Sequence, residues 1–318
     1  MAMAAEQLPQ IINPGYGIKA KVIADASIME EKDWLQLRRN YIGASEVSAI
    51  LGINPWKSSF GVYVDKVQGS TFEGNIHTEF GKWLEPHIRA EFPKRFLKEE
   101  DVEIKVHAYP YMLQHPDYEC LSVNLDGIME HPEYGVGVIE IKTASEMQQK
   151  KWQDDELPDM YFCQIQQELS ITGLSYAYVV ALVGKRLLWK YVARDDEFID
   201  LMTPRLVEFW NTFVVPKVAP APAGLDDDTD ILKALYGKEE SGKFVELHDR
   251  QEDYNRYKEI ATEIKQLSME QEAIKQRFMQ ALGTSELGFV GNKKVTWKTV
   301  SKKGYYVNPT SYRNLRVY

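Results

Sequence analysis

The chain is short of cysteine, of basic charge and of long apolar runs, and each shortage removes a class of protein. Cys120 and Cys163 are its two cysteines, too few for a disulfide framework, a four-cysteine zinc site or an iron–sulfur cluster held wholly by this chain. Such sparing use fits a reducing cytosol. The longest apolar run, residues 176–183, is far too short to span a bilayer, and residues 1–12 lack the charged-then-apolar pattern of a secretion signal. Lys and Arg are outnumbered by Asp and Glu, for a net charge of −9, which argues against a protein that simply coats nucleic acid by neutralising phosphates. His77, His87 and His115 show no metal-ligand spacing.

What is present suits a folded α/β protein. Hydrophobic residues make up 44% of 318 positions, enough to bury a sizeable core. Four regions are expected: an N-terminal arm (1–27), a core (28–216), a linker rich in Pro and Ala and then acidic (217–243), and a long helix with a basic hairpin (244–318). Charge is unevenly spread. Asp226 to Asp230 is almost wholly acidic, whereas Lys293, Lys294, Lys298, Lys302, Lys303, Arg313 and Arg316 follow Leu287 without one acid. Local basicity of that kind is sufficient to hold DNA in one channel.

Within the core a short helix is expected over 46–51. A second, over 78–96, carries Phe80, Leu84, Ile88 and Phe92 as its apolar stripe, with Pro86 tolerated if it lies in the first turns. Strands are expected over 120–129 and 135–143 around a turn at 131–134. A helix over 159–172, a hairpin of 176–183 and 187–193, and a helix over 197–213 complete the core. Helices and strands in this order predict layered α/β architecture. Beyond the linker, residues 245–282 have near-heptad apolar spacing, and 289–300 read as a hairpin.

Strand alternation singles out three residues. Side chains two apart share a face, so Glu140 and Lys142 project together out of an otherwise apolar strand. If the strands pair around Glu133, Asp126 becomes the cross-strand neighbour of Glu140. Two carboxylates so placed repel and raise each other's pKa. A hard divalent cation, magnesium or manganese, relieves that conflict, polarises a phosphoryl oxygen and acidifies bound water. Lys142 beside it would orient or deprotonate the attacking water. Set against this, a lone Glu-x-Lys on a strand is most often just a solvated face.

Ordered blocks around these residues carry a resemblance: Trp34-Leu35-Gln36-Leu37-Arg38, Ile42-Gly43-Ala44-Ser45-Glu46-Val47, Leu51 to Lys57, Phe80-Gly81 to Leu84-Glu85-Pro86, Leu125-Asp126-Gly127, Ile139 to Thr143, and Tyr161 to Gln166. Together they resemble the YqaJ-like viral recombinase family, itself similar to lambda exonuclease. The resemblance implies a PD-(D/E)XK restriction-endonuclease-like core with a central mixed sheet flanked by helices. It further implies a magnesium-dependent exonuclease that digests one strand of linear duplex DNA from the 5′ end, a single-strand annealing protein as partner, a ring-shaped homotrimer, and the cytoplasm of a bacterial host cell. By the same resemblance Asp126, Glu140 and the Ile141 carbonyl are metal ligands, Lys142 is the general base, and Glu85 is a further acid at the centre. Arg38 and Ser45 are the 5′-phosphate pocket, and Gln164 is a helper. Leu125 stands where the motif has proline, which ligates nothing.

Physical chemistry supports the phosphate pocket if Ser45 opens a helix whose free N–H groups attract an anion. The bland alternatives are an N-cap for Ser45, a surface role for Arg38, a first-turn acid for Glu85 and an exposed position for Gln164. Competing functions are an endonuclease, a RecB-like CRISPR-associated nuclease, which normally has four cysteines, and a non-catalytic DNA-binding scaffold. Trp34, Trp56 and Trp83 are candidates for stacking on unpaired bases, and the sequence does not choose among them.

Overall fold

The computed structural model describes residues 14–69, 74–148, 152, 157–301 and 315. Lys302, Lys303, Arg313 and Arg316 of the basic C-terminal stretch, and residues 1–13 of the expected N-terminal arm, lie outside the described residues. The chain divides into two compact units, Met1–Ala234 and Leu235–Tyr318.

The first unit runs β1 (Lys21–Asp25), α1 (Glu31–Arg38), β2 (Ile42–Gly43), a 3-10 turn (Ala44–Glu46), α2 (Val47–Ile50), α3 (Ser59–Val67) and α4 (Ile76–Glu100). There follow β3 (Lys105–His107), β4 (Tyr111–Gln114), β5 (Leu121–Asn124), β6 (Gly127–His131) and β7 (Gly135–Ala144). The unit ends with α5 (Asp159–Thr172), β8 (Tyr176–Val183), β9 (Arg186–Ala193), α6 (Asp196–Phe209) and α7 (Asp226–Leu235). A four-stranded sheet has the order β1-β4-β5-β2, and a five-stranded sheet the order β3-β6-β7-β8-β9. The larger sheet is mixed: β7 pairs antiparallel with β6 and parallel with β8. A parallel pair needs a crossover, and α5 lies within it.

Both faces of β7 are buried. Ile139 and Ile141 pack with Ile88, Phe92 and Phe96 of α4, together with Met129, Tyr176, Tyr178 and Val180. Val138 and Glu140 face α5, whose Gln164 reaches Glu140. Gly137 leaves room for the Tyr176 ring, which stands 2.3 Å from where a Cβ would be.

The expected strand 120–129 is two strands in two sheets. β5 ends at Asn124 and β6 begins at Gly127, so the chain crosses between sheets at Leu125 and Asp126. The break has a packing cause. Leu125 is buried, and a Cβ at Gly127 would lie 2.8 Å from the His107 carbonyl oxygen of β3, so the chain re-enters a sheet at the one residue that fits there. Past that junction the expected pairing holds, with Gly127 opposite Ile139 and His131 opposite Gly135.

α4 is longer than expected at both ends. Asn75 caps it by accepting from the N–H groups of His77 and Thr78, and Asp101 ends it in the left-handed region at φ 55°. Pro86 therefore lies in its interior and not in its first turns, on the exposed side of the helix. Phe80 is exposed, and the buried stripe is Ile88, Phe92 and Phe96, shifted one turn toward the C-terminus. The final core helix stops at Phe209 and passes into a π turn, Trp210–Val214.

The acidic part of the expected linker is helical. Asp226, Asp227 and Asp228 occupy the first turn of α7, where negative charge complements the helix dipole. Asp228 is buried, accepts from the Ser58 hydroxyl, and also accepts from the N–H groups of Ala223 at 2.7 Å and Gly224 at 3.1 Å. Ile231 is buried beside it.

In the second unit, α8 (Gln251–Leu282) is followed by a hairpin of β10 (Leu287–Val290) and β11 (Lys293–Thr296). Gly291 turns the hairpin at φ 55°. No residue of α8 is buried.

Candidate active site

β7 sets the geometry. Glu140 and Lys142 share the face toward α5. There the Lys142 ammonium donates to a Glu140 oxygen and, at 3.0 Å, to Oε1 of Gln164. Gln164 Nε2 donates to Glu140 and, at 2.9 Å, to Glu168 Oε1 one helical turn on. Asp126 arrives from the junction between sheets. Its Oδ2 accepts the Ile141 backbone N–H at 2.7 Å, on the edge of β7 that β6 has just left. The N–H and C=O of one strand residue leave on the same edge, so the Ile141 carbonyl is directed to the Asp126 side. Arg89 of α4 donates to the Asp126 carbonyl at 2.8 Å and pairs with Glu85.

Negative charge is in excess here. Burial pushes the Asp126 carboxyl well above its ordinary range, and the charges of Glu140 and Glu85 add to the shift. Burial raises Glu168 likewise, with Glu140 adding to it. Glu85 is raised by burial and by Glu140, against the pull of Arg89. Burial alone would lower the Lys142 ammonium, but Glu140 and then Asp126 outweigh it and hold the lysine charged.

Among the described residues, one oxygen of the fully buried Glu168, Oε2, has no hydrogen-bond partner. Among the described residues no three His, Cys, Asp or Glu side chains form a metal cage. A cation here would therefore take two carboxylates, a backbone carbonyl and water. That donor set, all oxygen, suits a hard divalent ion.

Gln164 is buried rather than exposed, and Glu85 lies three turns into α4 rather than in its first turn. At the other predicted locus, Arg38 Nη2 approaches Ser45 Oγ at 3.4 Å. The helix-terminus contribution expected there is lacking. Ser45 sits in a single 3-10 turn ahead of a four-residue helix, too short for an appreciable dipole, and the Gly43 N–H is already taken by Glu46 Oε2 at 2.8 Å. The Arg38 guanidinium, which lies 4.6 Å over the Trp34 ring, would supply attraction for an anion there.

The YqaJ-like viral recombinase domain matches residues 33–175, the span that holds all of these groups. Protein YqaJ of Bacillus subtilis (strain 168) is 33% identical over 289 residues, covering 89% of this chain and 88% of that one. The chain belongs to the YqaJ-like viral recombinase family. Among solved structures, the alkaline exonuclease LHK-Exo of Laribacter hongkongensis is similar at a TM-score of 0.46 and 17% identity, covering 64% of this chain and 98% of that one. A phage-related exonuclease of Haemophilus somnus 129PT is similar at a TM-score of 0.40 and 13% identity, covering 57% and 99%.

In this YqaJ-like recombinase the sequence left four contributors unnoticed. Glu168 could have been found from its i, i+4 relation to Gln164 on one helix face. Arg89 stands in the same relation to Glu85. The Lys66–Glu46 ion pair, 2.6 Å and almost fully buried, joins α3 to the 3-10 turn that carries Ser45. The Lys66 ammonium also donates to the Arg38 carbonyl at 3.1 Å. No local pattern announces that pair, because its members are twenty residues apart and meet only in the fold.

Proposed function

We propose that this YqaJ-like protein is a magnesium-dependent exonuclease. It digests linear double-stranded DNA from the 5′ end and leaves 3′ single-stranded tails for an annealing protein. The observation that carries this reading is the meeting of Asp126, from the junction between two sheets, with Glu140, Ile141 and Lys142 on the central strand. Asp126, Glu140 and the Ile141 carbonyl would hold the metal. The bound ion supplies Lewis-acid polarisation of a phosphoryl oxygen and acidifies water.

The remaining work falls to the chain. Lys142 binds and orients the attacking water and offsets phosphate charge, and Gln164 holds both Lys142 and Glu140 in place. Arg89 fixes the carbonyl of Asp126 and shields Glu85. Hydrolysis adds the water oxygen to phosphorus and breaks the bond to the 3′ oxygen of the departing nucleotide. The new 5′-phosphate is left on the next residue of the strand, and Arg38 with Ser45 would receive it, by a charge-assisted contact. A ring-shaped trimer, as the family implies, would keep the duplex threaded.

The test uses end-labelled linear duplex and the same DNA as an intact circle, each with magnesium. Release of mononucleotides from 5′ ends while circles survive supports the reading. Equal degradation of circles makes the protein an endonuclease, and no cleavage of either refutes a nuclease.

A further inference from the structure

From Tyr257 of α8, alternating steps of three and four reach Ile260, Ile264 and Leu267, then Gln271, then Ile274 and Phe278, and end at Ala281. These are the a and d positions of a heptad repeat kept without a slip along about 36 Å of helix. The six large apolar side chains among them are exposed, Ile264 and Leu267 at 58% and 64%. A helix gains most of its stability by packing such a face, and no described residue of α8 is buried.

The stripe is narrower than the face a helix lays on a globular core and has the width of a seam between coiled helices. Its one polar member sets the arrangement. In a parallel, in-register pair Gln271 faces Gln271 of the other copy, and two amides, each a donor and an acceptor, can bond to each other. An antiparallel pair would bring Gln271 against Leu267 and leave its amide unpaired in the seam. On the flank of the parallel seam, Glu270 would meet Lys275 of the other copy, five residues on. Lys275 also lies 3.5 Å from Glu272 of its own helix, and with 56% of its side chain exposed and three donors it can serve both acids.

We propose that α8 is an assembly element, through which copies of this chain join in a parallel, in-register coiled coil. The partner is the chain itself because the seam is its own complement: each apolar position meets its equal, Gln271 meets its own amide, and Glu270 meets the Lys275 charge. A different protein would have to reproduce that register and its polar break. The seam belongs to the second unit and carries none of the residues assigned to cleavage, so the proposal stands or falls apart from the nuclease reading.

The test follows disulfide linkage of the full chain at micromolar concentration in oxidised glutathione. Ala281→Cys places a thiol on the seam, and Gln276→Cys places one on the opposite face of the same helix. The wild type, with Cys163 buried and Cys120 half-buried, gives the background. Ala281→Cys should form covalent dimers about 10-fold faster than Gln276→Cys, because the coil holds like residues side by side. Adding Ile264→Lys with Leu267→Lys should remove that advantage, whereas adding Thr262→Lys with Met269→Lys, on the outer face, should not. Equal rates at the two cysteines, or an advantage that survives the seam lysines, overturns the proposal. So does linkage no faster than background, the result expected if another protein or another segment of this chain covers the seam. Linkage of Ala281→Cys to Tyr257→Cys in a mixture, and not to itself, would make the coil antiparallel and overturn the proposal too.

Discussion

The Asp126 carboxylate accepts the Ile141 backbone N–H at 2.7 Å, tying the crossing between two sheets to the strand that carries Glu140 and Lys142. The hydrogen bond continues, ahead of the first residue of β6, the contact of that chain with β7, and it delivers an acid to an edge where the Ile141 carbonyl also points. One local interruption of pairing thus creates a structural tie and a donor set for a hard cation.

Replacing any of the central three should remove chemistry without removing the fold. Asp126→Asn keeps an oxygen for the Ile141 N–H, and Glu140→Gln keeps an acceptor for Lys142. Each is expected to lower cleavage of linear duplex by about 10²–10⁴-fold, as is Lys142→Ala. Circular dichroism should stay close to wild type, and a variant that cuts at the normal rate removes its residue from the mechanism.

The acid cluster makes the metal-free protein sensitive to pH. Asp126 and Glu168 have folded-state pKa values above their ordinary 3.8 and 4.5, so ionising them costs more folded than unfolded. The penalty is absent in acid, where both states are protonated, and sets in as pH rises through the folded-state values. In chelator, Asp126→Asn and Glu168→Gln should therefore melt above wild type at about pH 8, and the advantage should vanish toward about pH 4. Magnesium at pH 8 should raise the melting temperature of wild type more than that of Asp126→Asn. A constant difference at every pH would show that the carboxyls are not strained.

Gly137 is required by the ring above it. A Cβ there would stand 2.3 Å from the Tyr176 ring, which is fully buried and whose hydroxyl donates to the Gly135 carbonyl at 2.9 Å. Gly137→Ala should destabilise the chain by about 1–3 kcal/mol, read from the urea midpoint. Unchanged stability would mean that the ring has another place to go.

The Lys66–Glu46 pair is expected to behave as a buried ion pair. Lys66→Met removes from Glu46 its ion-pair partner, leaving the weaker pull of Arg38 and Lys57, and should cost about 3–5 kcal/mol. The double variant Lys66→Met with Glu46→Gln should recover most of that. Equal losses in single and double variants, measured by denaturation, would place the cost in packing instead of charge.

Much of this site was legible in the chain. The period-two alternation of β7 separates Glu140 and Lys142 from Ile139 and Ile141 before any coordinates, because the pleat allows no other placement. The turn at Pro132 to Tyr134 sets the register of β6 on β7, and the observed partners Gly127 and Ile139 follow from it. The helix over Asp159–Thr172 was readable from its ends and its length. Less legible were features that depend on what packs where. The acidic run at Asp226 to Asp230 has the composition of a linker, yet its acids suit a helix N-terminus and Asp228 finds Ser58 across the fold.

The sequence by itself determined which residues of β7 share a face and that α4, α5, α6 and the hairpin of β8 and β9 form, since those depend on backbone geometry and on neighbours one to four positions away. The tertiary structure alone decided that residues 120–129 split between two sheets, that Lys66 meets Glu46, and that Trp56 and Trp152 line one cleft with Tyr161. Those outcomes come from burial and from contacts between residues far apart in the chain, and neither is encoded in any local period.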